Sequence, residues 1–248
     1  MTAGFQAFTS SGLVQIDGTT QNYVLRSTLG VTTANGNMPA GKANAGTQYT
    51  LLAPLATFGI TANNPLIVLY SPSAYATILS VTGGAPNWTV TIWSNTPAAV
   101  TVYVFDQSSA AAPAGAGYGF QVFDASGNLV ADARQRLARI VDTQSGNIKG
   151  VGAGWGQYGQ VDNQTHTWSY AGTVSKVGVG AVVTPFVSSP TGGTNNGWYD
   201  IGAYQTAGTT VNFLWQYYSQ GSTSHPGNNN CYGSQYNWSF MAVDLSNI

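Results

Sequence analysis

The chain has 248 residues, of which 43% are hydrophobic and only 6% are charged, and its formal net charge is −1. This composition excludes an intrinsically disordered chain, which combines low hydrophobicity with high net charge. Seven lysines and arginines are too few for an extended phosphate-binding surface, so we expect no nucleic-acid partner. The length allows one large domain or two small ones, each with a core.

The surface that this composition predicts is neutral. An average globular protein carries roughly 25% charged residues, and this chain has no glutamate at all. A free monomer with so few charges has little electrostatic protection against association. We therefore expect much of the surface to be buried against other subunits. A secreted β-protein with a neutral surface is the alternative interpretation.

The first predicted element is a β-hairpin at residues 4–17, and a related phrase occurs at residues 119–132. The two phrases lie 115 positions apart, and seven of their fourteen positions are identical. Each phrase alternates apolar residues, passes through a Ser-Gly turn and alternates again, which predicts a hairpin. A repeat of this period indicates two related modules rather than a solenoid. If the modules are related, Phe5 and Phe120 are expected at equivalent core positions.

Strand patterns dominate the rest of the first half. Residues 65–70 form a continuous apolar run, which is typical of a buried strand. Residues 88–93 and 100–105 alternate, and the valines of the second run share one face. The short turn with Pro97 between these runs predicts two adjacent antiparallel strands. Residues 107–118 are rich in Ala, Gly and Ser and are predicted to be a linker.

The second half repeats this order with additions. Residues 211–215 resemble residues 89–93, and residues 240–244 resemble residues 102–106. The longer spacing between the second pair predicts an inserted loop at about residues 219–235, and long polar loops often carry binding functions. Three of the four arginines cluster just after the second hairpin phrase, where we predict a strand at residues 135–141.

These patterns together predict an all-β fold. We expect two related β-sandwich-like modules with antiparallel strands and long Gly/Asn-rich loops. The first module is assigned to residues 1–106 and the second to residues 119–248, with residues 107–118 between them.

The sequence does not supply a recognisable catalytic or metal-binding constellation. His166 and His225 are the only histidines, and Cys231 is the only cysteine. No Gly-x-Ser-x-Gly elbow is present, and the scattered aspartates do not indicate a glycosidase pair or a metal site. We therefore expect a protein that is not an enzyme and that needs neither a cofactor nor a metal.

Aromatic and amide side chains of the second half are candidate contacts with a receptor or an assembly partner. Aromatic rings suit the apolar faces of sugars as well as protein interfaces. Burial in the core is the alternative for most of these rings. The candidates are Asn195, Asn196, Trp198, Tyr199, Tyr217, Tyr218, His225, Asn229 and Tyr232.

The second hairpin phrase and the strand-like residues after it resemble the minor tail and tail-tip (baseplate) proteins of long-tailed bacteriophages. The motif residues are Gly119, Phe120, Val122, Phe123, Asp124, Gly127, Leu129 and Asp132, with a weaker copy at residues 4–17. This motif marks a hairpin rather than a chemistry. The resemblance implies a structural role in the virion tail.

That resemblance also implies partners and a location. The expected partners are other tail or baseplate proteins and further copies of this chain, in a homo-oligomer, symmetric ring or trimer. The alternative function is a receptor-binding module that docks on a host surface glycan or pilus. No secretory leader is recognisable before the first hairpin and no apolar run reaches the ~20 residues that span a bilayer. We therefore expect no membrane insertion and assembly in the cytoplasm of the bacterial host.

Overall fold

The computed structural model describes residues 6–8, 14–17, 22–42, 48–107, 119–148, 164–190, 197–220, 232–235 and 237–248. Within these residues the chain forms nineteen β-strands and no helix, which confirms the all-β fold class. The strands are β1 (Gln6–Phe8), β2 (Val14–Asp17), β3 (Tyr23–Thr32), β4 (Ala34–Lys42), β5 (Gln48–Thr61), β6 (Leu66–Tyr70), β7 (Ala76–Gly84), β8 (Asn87–Ser94), β9 (Ala99–Gln107), β10 (Gln121–Phe123), β11 (Leu129–Asp132), β12 (Arg139–Asn147), β13 (Gln164–Ser169), β14 (Val177–Val183), β15 (Phe186–Pro190), β16 (Gly197–Ala207), β17 (Thr210–Gln220), β18 (Tyr232–Gln235) and β19 (Asn237–Asp244).

Fifteen of these strands form two large antiparallel sheets that pack face to face as a β-sandwich. Sheet I has six strands in the order β12-β19-β14-β6-β9-β3. Sheet II has nine strands, seven of them in the order β13-β17-β16-β7-β8-β5-β4, while β15 pairs with β16 and β18 pairs with β15. The remaining four strands form two small hairpins, β1-β2 and β10-β11.

Each large sheet contains strands from both halves of the chain in matching order. In sheet I the first-half strands β3, β9 and β6 correspond to β12, β19 and β14, and in sheet II β5, β8 and β7 correspond to β13, β17 and β16. The halves meet in the middle of each sheet, where Leu69 pairs with Val179 and Ala76 pairs with Tyr204. We call this junction the seam. Residues 108–118 lie outside the described residues, and the proposed module boundaries stay a prediction.

The two hairpins that the repeated phrase predicts are both present and share one register. Gln6 faces Asp17 in the first hairpin, and Gln121 faces Asp132 in the second. In both hairpins the register shifts just before the third residue pair. The equivalent pairs lie 115 positions apart, as the sequence repeat requires.

The starts of β3 and β12 meet over the outer face of sheet I, although these strands lie at opposite ends of its order. A β-bulge interrupts the pairing of each strand, after Leu25 in β3 and after Ile140 in β12. Bulges bend a strand and increase its twist. Val24 then forms a bridge with Leu137, just before β12 begins. The bent strands cover a small apolar cluster that includes Phe105.

Two separate cores fill the space between the sheets. The buried residues of the first-half core are mostly aliphatic: Ile60, Ala62, Ile67, Leu69, Ala76, Val90, Ile92, Val100, Val102 and Val104. The buried residues of the second-half core include five aromatic rings: Ile148, Val177, Val179, Tyr204, Val211, Phe213, Trp215, Trp238, Phe240 and Ala242. Gly146 makes room for the larger rings, because a Cβ at this position would overlap the Trp238 indole.

Several strand predictions are confirmed, and three need correction. The runs at residues 65–70, 88–93 and 100–105 are β6, β8 and β9. However, β8 and β9 are not neighbours, since the turn with Pro97 carries the chain from sheet II to sheet I. The strand predicted at residues 135–141 begins only at Arg139, because residues 132–135 form a turn.

The third correction concerns the register between β8 and β17. These strands do occupy corresponding places, as the sequence resemblance indicates. Counted from the two hairpin turns, however, Trp215 corresponds to Ile92, whereas the sequence comparison placed it opposite Trp93. A shift of one residue moves a side chain to the other face of a strand. Trp93 accordingly lies in a cluster on the outer face of sheet II.

Candidate functional site

The β10-β11 hairpin has a turn that its own side chains hold in place. The carboxylate of Asp124 accepts hydrogen bonds from the backbone N–H of Ser126 and of Asn128, both at 2.8 Å, and from Asn128 Nδ2 at 2.8 Å. These bonds favour the ionised form, so the pKa of Asp124 lies below its ordinary value. Gly127 occupies the left-handed region with a φ of 82°. Local hydrogen bonds therefore account for the aspartate in this turn.

A buried ion pair fixes the base of the same hairpin. Asp132 is only 1% exposed, and its Oδ2 lies 2.6 Å from Nη2 of Arg134. Arg134 Nε donates to Oδ1 at 2.9 Å, and Gln121 Nε2 donates to Oδ2 at 2.9 Å. The guanidinium of Arg134 is the main cause that holds the pKa of Asp132 well below its usual range. The hairpin is therefore closed at both ends by polar contacts.

Two phenylalanines of this hairpin are each about half exposed. Phe120 is 54% exposed and Phe123 is 52% exposed. The expectation that Phe120 occupies a core position is therefore wrong, because the cluster beneath the hairpin is made by Val122, Val130 and Ala131. Phe5, its counterpart in the repeat, lies outside the described residues. We call the exposed Phe120 and Phe123 the hairpin face.

Two of the four candidate contacts on β16 and β17, Tyr199 and Tyr218, lie in a cluster on the outer face of sheet II. Tyr199 is only 2% exposed and stacks on Tyr218, with ring centroids 5.0 Å apart. Trp93 Nε1 donates to the Tyr199 hydroxyl at 3.3 Å. Burial raises the pKa of Tyr199 to about 12 and also raises the pKa of Tyr218. These two rings therefore contribute to packing in the single chain, while Tyr217 packs, partly buried, on the second-half core.

The other candidate contacts cannot be located at the side-chain level. Asn195, Asn196, His225 and Asn229 lie outside the described residues. Trp198 and Tyr232 are placed only by their backbone, in β16 and β18. Residues 219–220 and 232–235 of the predicted insertion belong to strands, while residues 221–231 also lie outside the described part. The assignment of all nine candidate contacts to a receptor or partner surface stays a prediction.

β13 carries an aromatic edge that is not among the candidate contacts predicted from the sequence. The exposed ring of His166 lies 5.9 Å from Phe213 and 5.6 Å from Trp238, centroid to centroid. Trp168 is half-buried beside it, with its centroid 5.0 Å from that of Phe240. The alternation of rings at positions 166, 168 and 170 is the sequence signal that indicates this edge.

A groove opens at one end of the seam, where the two halves diverge. Its volume is about 630 Å³, and all fourteen residues that line it are uncharged. Val81 of β7 and Val182 of β14 lie on opposite walls and are 39% and 58% exposed. The inner end is closed by Thr184, whose hydroxyl lies 2.8 Å from that of Thr77 and donates to the carbonyl of Ile78 at 3.2 Å. We call this space the seam groove.

The two described aspartates late in the second half, Asp200 and Asp244, have different surroundings. Asp200 is fully buried on β16, and Asp244 forms an ion pair with Arg139 at 2.9 Å. Asp162 lies outside the described residues. Among the residues that the structure describes, no group of three or more His, Cys, Asp or Glu side chains is placed to hold a metal ion. The same part of the chain contains no helix of the length and hydropathy that would cross a bilayer.

No family model matches this chain, and neither a curated protein nor a solved structure matches it.

Proposed function

We propose that this protein is a structural subunit of a bacteriophage tail tip or baseplate, and that its hairpin face contacts a neighbouring subunit. The observation that carries this proposal is the exposure of Phe120 and Phe123 on a hairpin that polar contacts hold at both ends. The same residues belong to the motif that resembles phage tail proteins. The neutral composition of the chain supports a role in which much of the surface is covered.

The physical work of such a subunit is association without covalent chemistry. Burying one phenylalanine side chain completely contributes roughly 1.5–3 kcal/mol. The hairpin is preorganised, so little conformational entropy is lost when the two rings are buried. The partner is another tail protein or a further copy of this chain in a homo-oligomer, ring or trimer. The protein then resides in the virion tail and is assembled in the host cytoplasm.

A complementation assay tests this proposal. Host cells infected with a phage that lacks the gene receive the wild-type chain, the double variant Phe120→Gln/Phe123→Gln, or the control Leu52→Gln, which changes another exposed apolar residue. We expect the double variant to stay folded, since surface substitutions usually change stability within about 0.5 kcal/mol, and to yield few complete particles. Full particle yield and full infectivity with the double variant would sink the proposed role.

We also propose a second candidate function, a receptor-binding module for a host glycan or pilus. The aromatic edge at His166 and Trp168 favours it, because exposed and half-buried rings suit the apolar faces of sugars. Its test is saturable binding of the labelled protein to host cells, with displacement by intact phage. His166→Ala should weaken that binding, while the double variant at Phe120 and Phe123 should not. Complete particles that fail to adsorb would indicate this function rather than the structural one.

A further inference from the structure

A pocket lies where the start of β12 meets the residues that follow β19. Its volume is about 310 Å³, and it shares no lining residue with the seam groove. The lining residues come from segments 135–139 and 244–248. The charged ones are Arg136, Arg139 and Asp244, and the others are two amide and two apolar side chains. Two of the four arginines of the chain therefore line one small space, which we call the arginine pocket.

The backbone that carries Arg136 is held in place by β3. The backbone N–H of Leu25 donates to the carbonyl of Arg136 at 2.8 Å. The N–H of Ala138 donates to the carbonyl of Tyr23, also at 2.8 Å. This wall of the arginine pocket is therefore formed in the single chain, as is usual for binding pockets.

The opposite wall is organised by Arg139 and Asp244, which face each other across the β12-β19 pair. Nη1 of Arg139 lies 2.9 Å from Oδ2 of Asp244, and Nη2 donates to the carbonyl of Thr173 at 3.3 Å. Oδ1 of Asp244 accepts a hydrogen bond from the N–H of Ser246 at 2.9 Å. Both oxygens of this carboxylate are thus engaged. A guanidinium has more N–H donors than these two contacts use, so Arg139 retains donors for a ligand.

Arg136 differs from the other cationic side chains that the structure describes. Arg26, Arg134 and Arg139 each form an ion pair with an aspartate. The ammonium of Lys176 lies 2.6 Å from a tyrosine hydroxyl. Arg136 is exposed, and its guanidinium has neither an ion pair nor a hydrogen bond within the described part of the chain. The charged side chains of the arginine pocket therefore carry an excess of one positive charge.

We propose that the arginine pocket binds one carboxylate group, presented by an acidic side chain of an assembly partner. A guanidinium matches a planar carboxylate through two parallel hydrogen bonds. One negative charge also balances the excess charge of the pocket. A phosphate carries roughly 1.5–2 negative charges at neutral pH, and the surplus would lie near the carboxylate of Asp244. This inference rests on the proposed function only in assigning the carboxylate to an assembly partner.

The size and position of the pocket favour a side chain as its occupant. Its volume is at the lower limit of ligand pockets, which measure roughly 300–1,000 Å³. Leu137 and Ile248 provide apolar walls for the methylene groups of a glutamate. The hairpin face is close along the chain, because the N–H of Ala133 donates to the carbonyl of Phe120 and the pocket begins two residues later at Gln135. One partner can therefore contact both surfaces.

A titration of the purified full chain tests the inference without any phage. The probe is a capped tripeptide with glutamate between two alanines, and the comparison peptide has glutamine in its place. NMR signals of the Arg136 Nε–H group and of the amides of residues 136–139 report binding at constant ionic strength. We expect weak but saturable binding of the glutamate peptide and binding at least about tenfold weaker for the glutamine peptide. Inorganic phosphate, the third probe, should bind no more tightly than the glutamate peptide.

Matched variants locate the binding site. Arg136→Gln removes the unpaired charge and should weaken binding of the glutamate peptide about tenfold or more. We expect this variant to fold like the wild type, since it loses no contact of the described structure, and circular dichroism checks this. Lys42→Gln is the control, because it removes the same charge from β4 in the other sheet. It should leave binding within about twofold of wild type.

The complementation assay tests the assignment of the carboxylate to an assembly partner. Arg136→Glu should reduce the yield of complete particles, because it places a negative charge against the acidic side chain of the partner. Suppressors of this variant should replace an acidic residue of another tail protein with lysine or arginine. Full particle yield with Arg136→Glu would overturn that assignment.

Three results of the titration would overturn the inference itself. One is equal binding of the glutamate and glutamine peptides, and another is unchanged binding by Arg136→Gln. The third is tighter binding of phosphate, which would assign the pocket to a different anion. None of these results depends on Phe120 or Phe123, so failure of this inference is distinguishable from failure of the proposed function.

Discussion

The two halves of the chain use one strand order but fill it with side chains of different size. On corresponding strands of sheet II, the first half places Ile92 where the second half places Trp215. On corresponding strands of sheet I, Val102 stands where the second half has Phe240. The two halves share the apolar pattern, but the volumes of their core side chains differ. Strand order therefore follows from pattern and pairing, and each half fits its own side chains to the space between the sheets.

The halves also differ in how their sheet edges are covered. In the second half β15 lies along residues 197–201 of β16, and in the first half residues 80–84 of β7 pair only with β8 in the described structure. The stretch that β15 covers on β16 and the open stretch of β7 lie at different positions along the two strands. Related units with one architecture acquire different surfaces in this way, without any change in the sandwich itself.

The largest expected effect comes from removing a large core ring. Trp215→Ala should lower the free energy of unfolding by about 3–5 kcal/mol, and Ile92→Ala by about 2–5 kcal/mol, because both leave cavities. Chemical denaturation followed by tryptophan fluorescence and circular dichroism measures both. Since both sheets run through the seam, we expect one transition for wild type and variants. Separate transitions for the two halves would contradict the view that they fold as one unit.

Trp215→Phe is the control for the core prediction. The indole Nε1 of Trp215 has no hydrogen-bond partner in the described structure, so phenylalanine loses no polar contact. We expect it to be much milder than Trp215→Ala. An equal loss would show that the indole makes a polar contact that this structure does not contain.

A smaller loss of stability is expected when a methyl group is added at the seam. A Cβ on Gly178 would lie 2.7 Å from Val68 Cγ1 and 2.6 Å from Leu245 Cδ1, so Gly178→Ala should cost about 1–3 kcal/mol. Gly180 lies on the same strand, and its nearest neighbour would be 3.4 Å away. Gly180→Ala should therefore change stability by less than about 0.5 kcal/mol. Equal melting temperatures for the two variants would argue against close contact at the seam.

The two hairpins should differ in their response to acid. Asp132→Asn removes the charge that Arg134 binds and should destabilise the second hairpin by about 1.5–3 kcal/mol, measured by hydrogen exchange of β10 and β11. Because the pKa of Asp132 is lowered, its stabilisation is complete above the unfolded value near 3.9 and is lost as the pH falls further. Asp17→Asn should have a smaller effect, since Thr19 stands where the second copy has Arg134.

The smallest effect is expected at the outer face of sheet II. Tyr199→Phe removes the acceptor of the Trp93 Nε1 hydrogen bond and should cost about 0.5–1.5 kcal/mol. The raised pKa of Tyr199, about 12, adds a pH dependence. An unfolded tyrosine ionises near pH 10, so this part of the stability falls as the pH rises from 10 toward 12. The phenylalanine variant should lack that alkaline loss, and a spectrophotometric titration of both proteins checks it.

The sequence predicted the strands better than it predicted their neighbours. The alternation of residues 100–105 predicted that the valines share one face, and Val100, Val102 and Val104 all lie in the first-half core. The turn between β8 and β9 was misread, because a short turn looks the same whether it joins neighbours or crosses between sheets. The pairing of the halves at the seam left no local signal, since a single residue pair joins them in each sheet.

The candidate site was harder to predict for a related physical reason. Aromatic residues are enriched in strands whether they face a core or a surface, so Tyr199 and Phe120 could not be separated by type. The structure places Tyr199 inside and Phe120 outside. The seam groove arises from where two strands diverge, which is a tertiary property. Only the aromatic edge on β13 is indicated directly by the sequence, through the alternating rings at positions 166, 168 and 170.

The seam has a consequence for how the chain is made. All strands of the first half, from β3 to β9, precede residue 108, so a ribosome can release them as a set before the second half exists. Until β14 and β16 are synthesised, β6 and β7 present unpaired edges to solvent. At roughly 5–20 residues per second this interval lasts several seconds. A nascent chain that stalled at this point would expose the unpaired edges of β6 and β7. Polysomes would bring several such chains close together, so that their edges could pair with one another.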